Sequence, residues 1–192
     1  MLIIDGGSQD GSDDCARRAG FSVTASAAGR ARQMNAGARL ARGELLVFLH
    51  ADTRLPADAD RLVREALSHA SRTWGFFAVR IEAGSPVLRL VAFLMNHRSR
   101  LTGIATGDQA IFVRRSVFER VGGFPDQPLM EDVELSKRLK CTARPVCVRL
   151  PVATSSRRWE SRGVLRTIVL MWALRLAYSL GARPQTLARW YR

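Results

Sequence analysis

The chain has 192 residues and a formal charge of +13, from 30 basic and 17 acidic side chains. That length supports one well-cored domain and is short for two ordinary ones, and no stretch reaches the roughly 18 uncharged residues that a membrane span needs. Of the basic residues 28 are arginine, and the excess is uneven: residues 144–192 hold ten arginines and one acid, a net +9, which leaves +4 for the first 143 residues. The three cysteines, Cys15, Cys141 and Cys147, are odd in number and match no zinc spacing, which points to reduced thiols and a cytoplasmic protein. The opening Met1-Leu2-Ile3-Ile4 lacks the basic start and apolar core of a signal peptide.

In chain order, Leu2-Ile3-Ile4 reads as a strand. Asp5-Gly6-Gly7-Ser8-Gln9-Asp10-Gly11-Ser12 follows as a turn tolerant of positive φ, and Asp13-Asp14 open a helix capped by Ser12. Phe21-Ser22-Val23 is a second short strand. A helix over 29–42 carries Ala31, Met34, Ala38 and Ala41 on one face, with Gly43 closing it. On its other faces lie Arg30, Arg32, Gln33, Asn35 and Arg39; Arg30 could meet a phosphate or base, or stand exposed without a partner.

Leu45-Leu46-Val47-Phe48-Leu49 is an apolar run without alternation, read as a strand buried on both faces of a parallel sheet. Ligands bind at the carboxyl ends of such strands, where His50 and Asp52 follow. Two apart, they could offer an imidazole and a carboxylate to one divalent cation, or Asp52 could simply cap the next helix. Residues 56–70 read as a surface helix, 74–81 as a strand, and 87–95 as a helix ending in the basic cluster His97-Arg98-Ser99-Arg100. Thr106-Gly107-Asp108-Gln109 leads into a strand over 110–113, and Gly122-Gly123-Phe124-Pro125 is a turn. Glu131 and Asp132 open a helix running to about Lys140, where carboxylates also complement the helix dipole. A last strand covers 146–150, Arg157-Arg158-Trp159 follows, and 163–180 is an apolar helix.

Taken together, Asp5-Gly6-Gly7-Ser8, Asn35-Ala36-Gly37, His50-Ala51-Asp52, Gly122-Gly123-Phe124, Glu131-Asp132 and Arg157-Arg158-Trp159 resemble the family 2 glycosyltransferases of GT-A fold. The stretches GRARQMNAGA, FLHADT, GDQAIF, MEDVELS and RRWE are similar to the small bacterial subfamily named for arsenosugar biosynthesis, and the resemblance runs over nearly the whole chain. It implies an α/β, Rossmann-like three-layer sandwich with a mostly parallel central sheet, in one domain. Residues 1–110 would form the nucleotide-binding part, 111–161 the acceptor and catalytic part, and 162–192 a C-terminal helical segment. Such proteins ordinarily begin with a strand about 30 residues before the DGGS turn, so the resemblance also implies a fold truncated at its N-terminus, with a late start codon as the preferred explanation.

Position by position, the resemblance makes Asp132 the catalytic base, with Glu131 beside it. Asp5, Gly6, Ser8, Arg30, Asn35 and His50 would hold the nucleotide of the donor. Asp52 would meet a Mg²⁺ or Mn²⁺ on the diphosphate, although His stands where the usual DXD motif has its first Asp. Asp108, Gln109, Arg157, Arg158 and Trp159 would contact the acceptor or the diphosphate. Ser155 replaces the Gln of the QxxRW motif of processive relatives. The implied activity is a metal-dependent, inverting transfer of a sugar from a nucleoside diphosphate to an acceptor hydroxyl, which needs one base and no nucleophilic side chain.

Two other readings stand beside it. One is a non-catalytic remnant of the fold. The other is a basic module for an anionic membrane or a nucleic acid, and nucleic acid is disfavoured because no helix-turn-helix, zinc or RNA-binding pattern occurs. The helix over 163–180, apolar nearly all round with Arg166 and Arg175 inside it, suits either a cover for the core or a peripheral contact with the inner membrane.

Overall fold

The computed structural model describes residues 1–82 and 85–191, with the Arg158 side chain also outside the described set. Strands and helices alternate: β1 (Leu2–Asp5), α1 (Ser12–Arg18), β2 (Ser22–Ala25), α2 (Arg30–Leu40), β3 (Leu45–Val47), β4 (Thr53–Arg54), α3 (Ala59–Ala66), β5 (Trp74–Glu82) and α4 (Pro86–Thr102). After a 3₁₀ turn (Gly107–Gln109) come β6 (Phe112–Arg114), α5 (Arg115–Arg120), α6 (Glu131–Lys140), β7 (Val146–Ser155), α7 (Arg157–Arg162), α8 (Val164–Ser179) and α9 (Pro184–Tyr191).

The layers follow from the pleat of β5. Trp74 and Phe76 pack with Leu46, Phe48 and Val113 against Ala31 and Ala38 of α2, Phe118 of α5, and Leu135 and Leu139 of α6. Phe77 and Val79 pack with Phe112, Val148 and Val152 against Ala59, Val63 and Ala66 of α3. Alternating side chains thus bury both faces of the sheet under helices, which gives the expected three layers. The face Ala31, Met34, Ala38, Ala41 of α2 also meets this core as its 3.6-residue period requires.

Strand direction differs from the mostly parallel expectation. A five-stranded sheet has the order β3-β6-β5-β7-β4, and β1-β2 form a separate two-stranded sheet. Only β1-β2 and β5-β7 are parallel; β3-β6, β5-β6 and β4-β7 are antiparallel. The apolar run after Gly43 is accordingly not a central strand buried on both faces: β3 is the edge of its sheet, with Leu46 and Phe48 buried and Val47 39% exposed. Its hydrogen bonds run to one side only, so one edge stays free, while Leu45 and Leu49 on the second face pack half-buried against the second cluster.

α4 is longer than the apolar run that announced it, starting with Pro86 in its first turn and closing at Gly103 in the left-handed conformation. The basic cluster at 97–100 therefore lies inside a helix. α8 covers the start of α6 rather than a sheet face: Leu174 is buried among Leu129, Met130, Val133 and Leu187. Among the described residues no helix is long and apolar enough to cross a membrane.

Candidate active site

The site is built around the start of α6. Met130 takes φ 65 immediately before the helix, unusual for a residue with a side chain, and its own side chain is buried beside Leu129 and Val133. This sharp entry turns two adjacent carboxylates in different directions. Glu131, 3% exposed, points inward and its Oε1 lies 3.0 Å from the Arg30 Nε at the start of α2. Burial, and then the charge of Asp132, push Glu131 above the usual carboxylate range, partly offset by Arg30. For Arg30, burial disfavours the cation, but the charges of Glu131 and Asp132 outweigh it and raise the pKa.

Asp132 is half-buried, and the Gly107 N–H donates to its Oδ2 at 2.8 Å. Met34, Phe48, His50, Gly107, Ile111, Phe124 and Asp132 surround a small apolar-walled gap too narrow for a water molecule. A Cβ at Gly107 would come within 2.2 Å of the His50 Cε1, so the absence of a side chain lets the ring pack against this turn. The imidazole is thus clamped against the turn that orients Asp132. His50 Nδ1 lies 3.7 Å from Asp108 Oδ1, and its Nε2 is buried without a partner among the described residues. Burial lowers the His50 pKa, but the hydrogen bond and charge of Asp108 raise it above the ordinary value.

The expected pairing of His50 with Asp52 is therefore replaced by a pairing of His50 with Asp108. Asp52 is exposed, and among the described residues its Oδ1 accepts only from its neighbour Thr53 Oγ1, at 3.3 Å. Among the described residues no three His, Cys, Asp or Glu side chains gather into a metal cage. A single exposed carboxylate fits a hard cation that keeps several waters and is held largely by substrate phosphates, rather than a resident ion.

The other predicted site residues divide. Asp5 draws its own turn around itself, accepting from Gly7 N–H at 2.8 Å and from Ser8 Oγ at 2.5 Å, which lowers its pKa. Gly6 lies against the Gln33 side chain, whose amide donates to the Ile4 carbonyl at 2.9 Å, so α2 carries this turn. Asn35 donates to the Phe124 carbonyl at 2.8 Å and accepts from the Phe124 N–H at 3.0 Å, fixing the Gly122-Gly123-Phe124 turn rather than offering its amide to a ligand.

Gln109 is fully buried and organises the turn through its side-chain oxygen. Its Oε1 accepts from Ser99 Oγ at 2.8 Å and from the Thr106 N–H at 3.1 Å. Arg157 is exposed on α7, and the Arg158 side chain lies outside the described residues. Trp159 packs, with Val164 and Ile168 of α8, against the cluster of Ile81 with Leu88, Val91 and Ala92 of α4.

Two functional candidates were missed. Arg98 of α4 and Arg175 of α8 are each half-buried, and both sense the charge of Asp132. The basic cluster at 97–100 was a visible signal for Arg98, whereas Arg175 is hidden inside an apolar stretch. A larger depression of about 360 Å³, lined by Ser26, Arg32, Asn35, Arg39 and Asp126, is crossed by the exposed Arg32–Asp126 pair and gathers none of the candidate carboxylates.

An α/β sandwich with a carboxylate at a helix start, a second at a strand end and a glycine turn after the first strand has the form of the nucleotide-sugar transferases of GT-A fold. The chain belongs to glycosyl transferase family 2, whose model matches residues 1–122. A comparison with curated proteins gives no match.

Solved structures agree on the fold. A mannosyltransferase from Pyrobaculum calidifontis, in complex with GDP-Man and Mn²⁺, is 20% identical with a TM-score of 0.59, covering 99% of this chain and 59% of its own. TarS 1–349 of S. aureus with UDP-GlcNAc is 14% identical with a TM-score of 0.58, covering 80% of this chain and 48% of its own. Glucosyl-3-phosphoglycerate synthase of Mycobacterium tuberculosis, in complex with Mn²⁺, UDP-glucose and phosphoglyceric acid, is 17% identical with a TM-score of 0.55, covering 80% and 58%. The chain thus spans 48–59% of the length of these three structures.

Proposed function

We propose that the chain transfers a sugar from a nucleoside-diphosphate donor to an acceptor hydroxyl, with inversion and with Asp132 as general base. One observation carries the reading. Glu131 is almost wholly buried and paired with Arg30 through Oε1, whereas Asp132 is half-buried and oriented by the Gly107 N–H beside His50 and Phe124. The acceptor hydroxyl gives its proton to Asp132 as its oxygen bonds to the anomeric carbon. The bond from that carbon to the phosphate oxygen breaks, and the nucleoside diphosphate leaves with the electron pair. Asp52 would hold the Mg²⁺ or Mn²⁺, which when bound neutralises charge on the departing diphosphate. The Asp5 turn and the Arg30 end of α2 would receive the nucleotide, and His50 with Asp108 would support the turn on which Asp132 depends.

The deciding experiment is calorimetric titration with UDP and GDP, with and without Mn²⁺, followed by assay of sugar release from the matching nucleotide sugars. Metal-dependent binding with slow donor hydrolysis supports the reading. Absence of nucleotide binding under all conditions favours the non-catalytic remnant.

Two finer readings go with it. The first is membership of the arsenosugar-type subfamily with a further strand upstream of Leu2. Its support is that β1 pairs only with β2 and β3 only with β6, so a strand added between them would join the two sheets. The second is a peripheral contact with an anionic membrane at the cytoplasmic face. α8 exposes Leu165, Val169, Trp172, Leu176 and Leu180 at spacings of 4, 3, 4 and 4, and α4 exposes Leu90, Phe93 and Leu94. The exposed Arg89, Arg100, Arg166 and Arg183 border these stripes, which is the charge that anionic headgroups complement.

A further inference from the structure

The charges around Asp132 are unevenly answered. On one side Arg30 has Glu131 as its partner. On the other stand Arg98 and Arg175, brought together by the packing of α4 and α8, which share a cluster formed by Leu88, Val91 and Ala92 with Val164 and Ile168. Among the described residues neither arginine has a carboxylate within ion-pair distance. Arg98 Nη2 donates to Ser99 Oγ at 3.1 Å, but its Nε is buried without an acceptor. Ser99 Oγ in turn donates to Gln109 Oε1 at 2.8 Å, and the Gln109 Nε2 is likewise buried without an acceptor. This polar chain ends twice in a donor with nothing to receive it.

Buried donors are nearly always paired, and an unpaired one costs about 1–3 kcal/mol, more when charged. Two guanidiniums close enough to repel each other inside a folded protein are costlier still. Burial first, then the charge of Arg175, press the Arg98 pKa down to about 10, and burial lowers that of Arg175. Arg98 stays charged at neutral pH. Such a group of donors is satisfied by one thing of suitable shape, an anion with several oxygens, and arginine forks match phosphate in particular.

We propose that Arg98 and Arg175 form an anion subsite beside Asp132 that binds a phosphate group carried by the acceptor. The proposal rests on Asp132 being the acceptor base. The subsite would anchor the acceptor by its phosphate, so that a hydroxyl elsewhere in the same molecule meets the carboxylate. The phosphate could belong to a small soluble acceptor or to a lipid headgroup reached along the exposed faces of α4 and α8.

The test uses the whole chain with inorganic phosphate as probe, titrated against wild type, Arg98→Gln, Arg175→Gln and the exposed control Arg120→Gln, each checked for folding by circular dichroism. Wild type and the control should bind phosphate alike, and each subsite variant should lose about tenfold or more in affinity, the scale of one charge-assisted hydrogen bond. Binding of UDP or GDP with Mn²⁺, whichever nucleotide the wild type takes, should stay within about twofold in both variants. Unchanged phosphate affinity in the variants overturns the subsite, and an equal loss of nucleotide affinity overturns its assignment to the acceptor. If Arg98→Gln fails to fold, Arg98→Lys keeps the charge while removing the fork and tests the same point.

Sedimentation with phosphatidylcholine vesicles, with and without phosphatidic acid, separates the sources. Phosphatidic-acid-dependent binding that Arg98→Gln abolishes supports the subsite with a lipid phosphate, and phosphate binding without it supports the subsite with a soluble acceptor. Phosphate binding requires neither donor nor metal, so a chain that takes no nucleotide would fail the transferase reading while leaving this measurement intact.

Discussion

The Arg30 guanidinium, 3.0 Å from the buried Glu131 carboxylate, ties the first residue of α2 to the first residue of α6. The helix that carries the DGGS turn and the helix that presents Asp132 are thereby locked at their N-termini. Arg30→Ala strands a carboxylate that is 3% exposed. Breaking a fully buried pair costs about 3–5 kcal/mol, and since the Arg30 side chain is 39% exposed the expected loss is nearer about 2 kcal/mol. Chemical denaturation measures it.

The same variant has a pH signature. With Arg30 gone, the burial and the Asp132 charge that raise Glu131 lose their largest opponent. The folded chain then binds a proton more tightly than the unfolded chain, so stability falls as pH rises from the ordinary carboxylate pKa through the raised one. The deficit of Arg30→Ala relative to wild type should be smaller in mildly acid than in mildly alkaline buffer. A deficit that does not change with pH would show that Glu131 is not the group being stranded.

Asp132→Asn should lower turnover by about 10²-fold or more while leaving nucleotide affinity in place, the mark of a lost general base. The amide oxygen can still accept from the Gly107 N–H, so the fold of the turn survives. An equal loss of donor binding would assign Asp132 a structural role at the helix start.

Asp52→Ala should abolish the Mn²⁺-dependent part of nucleotide binding without moving the melting temperature. Asp52 is exposed and among the described residues its side chain accepts only from Thr53, so the folded state owes it little. Titration with UDP and GDP at fixed Mn²⁺ reads the difference directly.

Asp52 was legible because it follows a strong apolar run, and Asp132 because it opens a helix of clear period. The buried face of α2 was equally plain, since Ala31, Met34, Ala38 and Ala41 repeat with the helical period. Strand direction was not, because an apolar run carries no mark of which way its neighbour lies, and β3 proved to be an antiparallel edge. The apolar run over 87–95 marked only the middle of α4, whose last turns carry the half-buried Arg98 and the buried Ser99, which a hydrophobic period does not detect. Least legible were contacts between distant residues, Arg30 with Glu131 and Gly107 with His50, which exist only once α2, α6 and the strands are stacked.

Gly107→Ala probes one of those contacts. The added methyl would lie 2.2 Å from the His50 Cε1 and 2.4 Å from its Nε2, so the ring or the turn must shift. Overpacking of this kind costs about 1–3 kcal/mol. Because the Gly107 N–H holds Asp132, turnover should fall along with stability, whereas nucleotide affinity should be kept. Activity retained at full melting temperature would mean that the ring moves freely and does not support the base.

Trp172→Ser with Leu176→Ser tests the outward stripe of α8. These side chains are 71% and 61% exposed, so their loss removes little burial and the melting temperature should hold within a few degrees. If the stripe seats on a membrane, the double variant should sediment less with anionic vesicles at low salt, and raising the salt should weaken the wild type by screening its arginines. Wild-type chain that stays in the supernatant at low salt would remove the membrane contact and leave α8 as a cover for the start of α6, which its buried Leu174 already serves against Met130 and Val133.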